Sequence, residues 1–181
     1  MKILFAIDRL NCFGGAQRVI ANLANEAIKR GHEVRIIITG NTTESVYNLD
    51  ARISLYCYSF GKSRIAKFKA IRSKIKTYDP DIIIPFLTMV NIVIILTTLG
   101  MKIPILISER NDPEKSTKKE KIFSKLLYRL ASGIVVQTMA IAETVKQYGV
   151  KKIFVIPNPI IGHQFRKKDY HLNGKCIAVG R

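Results

Sequence analysis

Lys2-Ile3-Leu4-Phe5-Ala6-Ile7-Asp8, Arg9-Leu10-Asn11-Cys12-Phe13-Gly14-Gly15, a helical stretch ending at Lys29-Arg30-Gly31, and then Val34-Arg35-Ile36-Ile37-Ile38-Thr39 form the stretch that decides the fold. Residues 2–8 carry a continuous apolar run of strand length, closed by a segment rich in turn formers. From Gly15 onward Val19, Ile20, Leu23, Ala24, Ala27 and Ile28 recur at the spacing of one helix face. Lys29 and Arg30 suit the negative end of that helix, and Gly31 can take the left-handed conformation that stops it. Residues 34–39 are a second, β-branched strand. Strand, helix and strand in this order make a βαβ unit, and a crossover helix lays its two strands parallel.

The same alternation runs outward to the end of the chain. The pattern predicts strands over 53–58, 81–84, 104–108, 133–136 and 152–156, and helices over 64–77, 118–130 and 139–148. Ile65, Phe68, Ile71 and Ile75 mark the buried stripe expected of the second helix. No repeat or long flexible linker interrupts the series. The fold class that follows is α/β, a Rossmann-like doubly wound domain with a mainly parallel sheet. Residues 82–101 contain no charge, and an apolar run of about twenty residues is long enough to span a bilayer. Pro85, Thr88, Asn91, Thr97 and Thr98 dilute it, and it fits the alternation as strand, loop and helix. That is the expectation here.

With 181 residues, 48% of them hydrophobic, the chain can bury one core. Thirty Lys and Arg against 13 Asp and Glu give a net charge of +17, which favours a polyanionic partner: anionic lipid, a phosphorylated ligand or nucleic acid. Cys12, Cys57 and Cys176 are widely separated and lack the spacing of a disulfide framework or a zinc site. That cysteine usage fits a reducing cytoplasm. Asp8 follows the first apolar run at once, without a cleavage site, so the start reads as a strand with no export signal expected.

Two loops hold the candidate chemistry. Gly14 and Gly15, with Gln17 and Arg18 beyond them, bring backbone N–H groups and a helix N-terminus to the carboxyl edge of the sheet, where anions bind. A tight turn without a ligand reads equally well from these residues. GxGxxG spacing is absent, as is an acidic residue in 34–39 to take a ribose, which argues against a dinucleotide enzyme. Ser108-Glu109-Arg110-Asn111-Asp112-Pro113 ends another strand at the same edge. Glu109, Arg110 and Asn111 could bind sugar hydroxyls or phosphate, Arg110 being shaped for phosphate. The plainer reading is an exposed Glu109–Arg110 ion pair, with residues 111–113 capping the next helix.

His32 covers a helix end, and His163 and His171 have no nucleophile setting. Basic residues crowd two predicted helices. The first holds Lys67, Lys69, Arg72, Lys74 and Lys76, and reads as a basic amphipathic face for anionic lipid or as an ordinary solvated face. The second holds Lys115, Lys118, Lys119, Lys121, Lys125 and Arg129. No nucleic-acid-reading motif accompanies the charge.

In order along the chain, six segments resemble the retaining glycosyltransferases of the GT-B fold in the family known as group one or family four. They are Gly14-Gly15-Ala16-Gln17-Arg18-Val19, Gly31-His32-Glu33-Val34, Tyr78-Asp79-Pro80-Asp81, Val135-Val136-Gln137-Thr138, Ile156-Pro157-Asn158-Pro159 and Val179-Gly180-Arg181. Ser108-Glu109-Arg110-Asn111 is similar to members that extend lipid-linked or surface oligosaccharides. The resemblance implies transfer of a sugar from a nucleotide-diphosphate donor to a glycan or polyprenyl-linked acceptor, with retention and without a metal or other cofactor.

It further implies an acceptor-binding domain over 1–156, an interdomain hinge over 157–175 marked by Pro157, Asn158 and Pro159, and the first strand of a donor domain over 176–181, where Arg181 would face the donor phosphate. An amino-terminal fragment, inactive by itself, is the expectation. Some relatives carry a histidine on the loop occupied here by Glu109-Arg110-Asn111, and this chain has none there, so no catalytic residue is assigned. The implied location is cytoplasmic, peripheral on the inner face of the cell membrane. The alternative is a non-catalytic basic module that binds nucleic acid or a protein partner.

Overall fold

The computed structural model describes residues 1–58, 63–111 and 113–158. Its elements run β1 (Lys2–Ile7), α1 (Gly15–Lys29), β2 (Glu33–Ile38), β3 (Ser54–Cys57), α2 (Arg64–Tyr78), β4 (Ile82–Pro85), α3 (Thr88–Thr97), β5 (Leu106–Ser108), α4 (Lys118–Leu127), β6 (Gly133–Val136), α5 (Met139–Lys146) and β7 (Ile153–Val155). Every strand pairing is parallel. The strands form the runs β3-β2-β1-β4 and β5-β6-β7. Single bridges Ile83–Ile105 and Phe86–Ser108 join β4 to the β5 side. Around that seam the Ile83 N–H donates to the Pro104 carbonyl at 3.0 Å and the Leu87 N–H to the Ser108 carbonyl at 3.2 Å. The chain steps outward from β1 to β3, then returns to β4 on the other side of β1. That reversal puts the natural ligand crevice at the carboxyl ends of β1 and β4.

The strands are apolar along their length because helices cover both faces. In β1, Leu4 and Ala6 join a core with Ile71, Ile75 and Tyr78 of α2 and with Val90 and Ile94 of α3. Phe5 and Ile7 join the opposite core, with Val19, Ile20, Ala24 and Ile28 of α1. Helix α1 stops as its sequence predicts. Gly31 takes φ of +79°, its N–H donates to the Ile28 carbonyl, and the His32 N–H reaches the Ala27 carbonyl, both at 3.0 Å. This is the paired C-terminal bonding that a left-handed glycine permits.

The uncharged run 82–101 divides into β4, a turn and α3, as expected. A ten-residue helix is only about 15 Å long, half the hydrocarbon thickness. Among the described residues no helix is long and apolar enough to cross a membrane.

Three local expectations are corrected. Ile65 is 68% exposed, and the buried face of α2 is Ile71, Ile75 and Tyr78. Helix α4 ends at Leu127, and Tyr128–Leu130 winds more tightly as a 3₁₀ turn. Its cap is Thr117 rather than residues 111–113. The Thr117 side chain accepts the Glu120 N–H while Glu120 accepts the Thr117 N–H, a reciprocal capping box.

Candidate functional site

The loops that follow β1, β4, β5, β6 and β7 all emerge at the carboxyl edge of the sheet. After β1, Gly14 is extended and immediately precedes α1, whose first turn holds no acidic residue. Tyr47, 33 residues away in sequence, fixes this glycine from both sides. Its hydroxyl accepts the Gly14 N–H and donates to the Gly14 carbonyl, each at 2.9 Å. The same carbonyl receives the Arg18 N–H at 3.0 Å. Phe13 is 68% exposed and stands edge-on to the Tyr47 ring at 5.9 Å. Phe13, Gly14, Gly15, Arg18 and Tyr47 line an open pocket of about 640 Å³. Gln17 lies over Gly14, its amide 3.7 Å from the Cys12 sulfur. Gly14, Gly15, Gln17 and Arg18 thus form one cluster, completed by an aromatic pair that no local pattern announces.

After β5 the structure separates Glu109 from Arg110. Glu109 is 2% exposed and lies beneath the loop, not on its surface. Its Oε1 accepts from the Thr88 hydroxyl at 2.9 Å and from the N–H groups of Arg110 and Asn111 at 3.0 and 3.1 Å. Its Oε2 accepts from the Tyr128 hydroxyl at 2.6 Å. Burial pushes the Glu109 carboxyl above its ordinary value, and these four donors oppose the rise. An ionised carboxylate accepts all four at once. Asn91, fully buried, donates to the Tyr128 hydroxyl and to the Ser108 carbonyl at 3.3 and 3.4 Å. Glu109 therefore braces the loop and presents no oxygen to a ligand; the expected exposed ion pair is absent.

Arg110 points the other way. Its Nε donates to the Ser108 hydroxyl at 2.9 Å and its Nη1 to the Asn158 side-chain oxygen at 2.6 Å. The guanidinium carbon lies 5.4 Å from the centre of the Phe86 ring. Among the described residues it pairs with no carboxylate, and partial burial pulls its pKa down. Gln137, at the end of β6, also donates to Asn158, at 3.2 Å. Arg110, Gln137 and Asn158 thus bring the ends of β5, β6 and β7 together. Asn111 is exposed and reaches the Thr88 hydroxyl at 3.5 Å. Pro157 is exposed beside Asn158; Pro159 and Arg181 lie outside the described residues.

At the end of β4, Leu87 adopts φ of +77° with ψ of 145°, a region almost reserved for glycine and costly for a leucine. Its N–H bond to Ser108 holds it there and sets Thr88 against Glu109.

The basic face expected on α2 is divided by the structure. Lys67 is half-buried and donates to the Thr39 carbonyl at 2.7 Å. Arg72 donates to the carbonyls of Thr97, the last residue of α3, and of Leu99 just past it, at 2.6 and 2.9 Å. Lys74 lies 5.2 Å from the Tyr56 ring centre. Lys69, Lys74 and Lys76 are exposed. Two of the five cations are thus engaged with backbone carbonyls.

Among the described residues, seven parallel strands around one reversal point, with a glycine loop and an arginine without a carboxylate partner at the carboxyl edge, define a Rossmann-like domain. The chain belongs to glycosyltransferase family 4, whose model matches residues 13–161. It is 34% identical over 171 residues to the GalNAc-alpha-(1->4)-GalNAc-alpha-(1->3)-diNAcBac-PP-undecaprenol alpha-1,4-N-acetyl-D-galactosaminyltransferase of Campylobacter jejuni, a match covering 88% of this chain and 46% of that protein. The chain thus spans about half the length of this curated relative.

Its fold is similar to that of the lipopolysaccharide outer core galactosyltransferase WaaB, with a TM-score of 0.70 at 16% identity over 88% of this chain and 46% of WaaB. It is also similar to Anabaena Alr3699/HepE in complex with UDP-glucose, with a TM-score of 0.65 at 15% identity over 88% of this chain and 44% of HepE. Sucrose-phosphate synthase from Thermosynechococcus elongatus gives a TM-score of 0.69 at 11% identity over 86% and 47%. The Rossmann-like fold and the GT-B resemblance read from the sequence agree with these likenesses.

Proposed function

We propose that this protein forms the acceptor side of a retaining glycosyltransferase that moves a sugar from a nucleotide-diphosphate donor to a lipid-linked or surface-polysaccharide glycan. The observation that carries this reading is Arg110, a half-buried guanidinium with no carboxylate partner among the described residues, held by Ser108 and Asn158 at the carboxyl edge. A guanidinium so held is preorganised for phosphate or for vicinal hydroxyls. The undecaprenol-linked glycan in the name of the Campylobacter relative supports an acceptor of the same class.

In this reading Glu109 does no proton transfer; it fixes the backbone that aims Arg110 and Asn111. The glycine loop, with Phe13 and Arg18, lines the neighbouring part of the cleft. With retention, the departing donor phosphate can itself take the acceptor proton, so positioning and charge stabilisation are the domain's work. No metal or other cofactor is required. The site of action is the cytoplasmic face of the cell membrane.

The test is transfer by the full-length protein from a panel of nucleotide sugars to polyprenyl-diphosphate-linked oligosaccharides, with the anomeric configuration of the product read by NMR. Arg110→Ala should lower kcat/KM by about 10- to 150-fold, the range for losing a charged hydrogen bond. Transfer with inversion, no transfer from any nucleotide sugar, or full activity in Arg110→Ala would overturn the proposal.

A further inference from the structure

The loop after β1 carries an exposed aromatic ring on a well-tied scaffold. The segment between β2 and β3 is stitched onto it: Ser45 bridges Leu10, and the Val46 N–H donates to the Leu10 carbonyl at 3.0 Å. Ser45 also holds Tyr47, its hydroxyl accepting the Tyr47 N–H at 3.1 Å and donating to the Tyr47 carbonyl at 2.9 Å. From α1, Asn25 anchors the far side, donating to the Asn48 carbonyl and accepting the Asp50 N–H, both at 2.8 Å. Against the Tyr47 ring so fixed stands Phe13, edge-on and mostly open to solvent.

This loop is not arranged as a phosphate cradle. Such a cradle turns its glycine N–H groups toward the anion, but the Gly14 N–H is spent on the Tyr47 hydroxyl and the Gln17 side chain lies over Gly14. Open to the pocket are the Phe13 ring, the bare Gly15 and Arg18. A side-chain carbon added at Gly15 would meet nothing within 4 Å. Arg18 is exposed and pairs with no carboxylate among the described residues. An aromatic face beside a fork of N–H donors suits a ligand that is apolar on one face and hydroxylated at its rim.

We infer that Phe13, backed by Tyr47, is a stacking platform for one pyranose ring of the acceptor glycan, and that Arg18 donates to hydroxyls at the rim of that ring. The C–H bonds on a pyranose face carry slight positive charge and meet the negative face of an aromatic ring. Equatorial hydroxyls stand out at the rim, where a guanidinium can donate to two neighbours at once. The pocket volume of about 640 Å³ falls within the roughly 300–1,000 Å³ of small-ligand sites. Stacking needs a face clear of axial hydroxyls, so the platform selects among sugars by configuration. The inference rests on the acceptor reading above and adds to it a residue that chooses which sugar is received.

Saturation-transfer NMR on the full-length protein tests this, with methyl hexopyranosides and methyl 2-acetamido-hexopyranosides as probes and no donor present. Irradiating the aromatic protons should pass saturation chiefly to the C–H protons of one pyranose face. Phe13→Ala should cut that transfer and weaken binding by about 2- to 13-fold, the range for an aromatic contact, and Phe13→Tyr should restore both. An exposed side chain contributes little to the core, so the alanine variant should fold. In sugar transfer, Phe13→Ala should raise the KM for the acceptor by the same factor and leave kcat within about twofold.

Saturation transfer unchanged in Phe13→Ala, or absent for every pyranoside, would overturn the inference. So would a change confined to the KM of the donor, which would put a nucleotide on the ring. Failure of Phe13→Tyr to restore binding would overturn it as well, by showing that Phe13 serves only the shape of the loop. Pyranoside binding through Phe13 without transfer from any nucleotide sugar would count against the acceptor reading and leave the platform standing.

Discussion

Tyr128→Phe removes one oxygen from the centre of the site and leaves its ring packing in place. The lost hydroxyl donates to Glu109 at 2.6 Å and accepts from Asn91 at 3.3 Å, and Tyr128 has no solvent exposure, so water cannot replace it easily. A hydrogen bond to a charged group contributes about 1.5–3 kcal/mol. In a domain of this size each kcal/mol moves Tm by roughly 2–4 °C, so a fall of about 3–12 °C is expected.

The dependence on pH gives a sharper test. Burial raises the Glu109 pKa above its ordinary value, while the Tyr128 donation lowers it. The raised pKa means that the stabilising contribution of Glu109 is fully present below the ordinary carboxylate range and is lost as pH rises through the folded pKa. Tyr128 offsets part of that loss by holding the ionised form. The deficit of Tyr128→Phe should therefore be largest at neutral pH and should narrow as pH falls through the folded pKa of Glu109. Urea denaturation of both proteins at a series of pH values measures it. A deficit that stays constant across the series would refute an ionised, donor-held Glu109.

Tyr47→Phe loses both bonds to Gly14; it should cost about 1–2 kcal/mol and speed exchange of the Gly14 amide, and unchanged exchange would show that the loop does not depend on the clamp. Arg72→Gln should destabilise by about 1–2 kcal/mol through the freed carbonyls at the end of α3, while exposed Lys69→Gln stays within about 0.5 kcal/mol. Equal losses in urea titrations would mean that Arg72 is only a surface charge.

The order of strands and helices was legible because it rests on local periodicity: a five-residue apolar run such as Ile3–Ile7 covered on both faces, a glycine after the last basic residues of α1. The roles of side chains within the site were less so. Glu109 sits among polar neighbours and reads as exposed, yet its donors Thr88 and Tyr128 come from 21 residues before and 19 after. Asn91 was the available signal, since an amide within an otherwise apolar helix needs a buried partner. Ile65 misled because helix periodicity places it on the apolar stripe, while Lys67 and Arg72 spend their reach on backbone carbonyls that only the tertiary fold supplies. Tyr47 left no trace in the local pattern; its role depends on a contact across 33 residues.

Leu87 shows where the rigidity of this edge comes from. A leucine at φ of +77° is held against its own preference by the sheet bond to Ser108 and by its packing against the core around Phe86. The free energy that keeps the turn in shape is thus supplied when the chain folds. A ligand arriving there meets a mould already set, and little of its binding energy is diverted to ordering the turn between β4 and α3. Substituting glycine at that position would relax the mould, making the protein easier to fold and the edge slower to recognise what it receives.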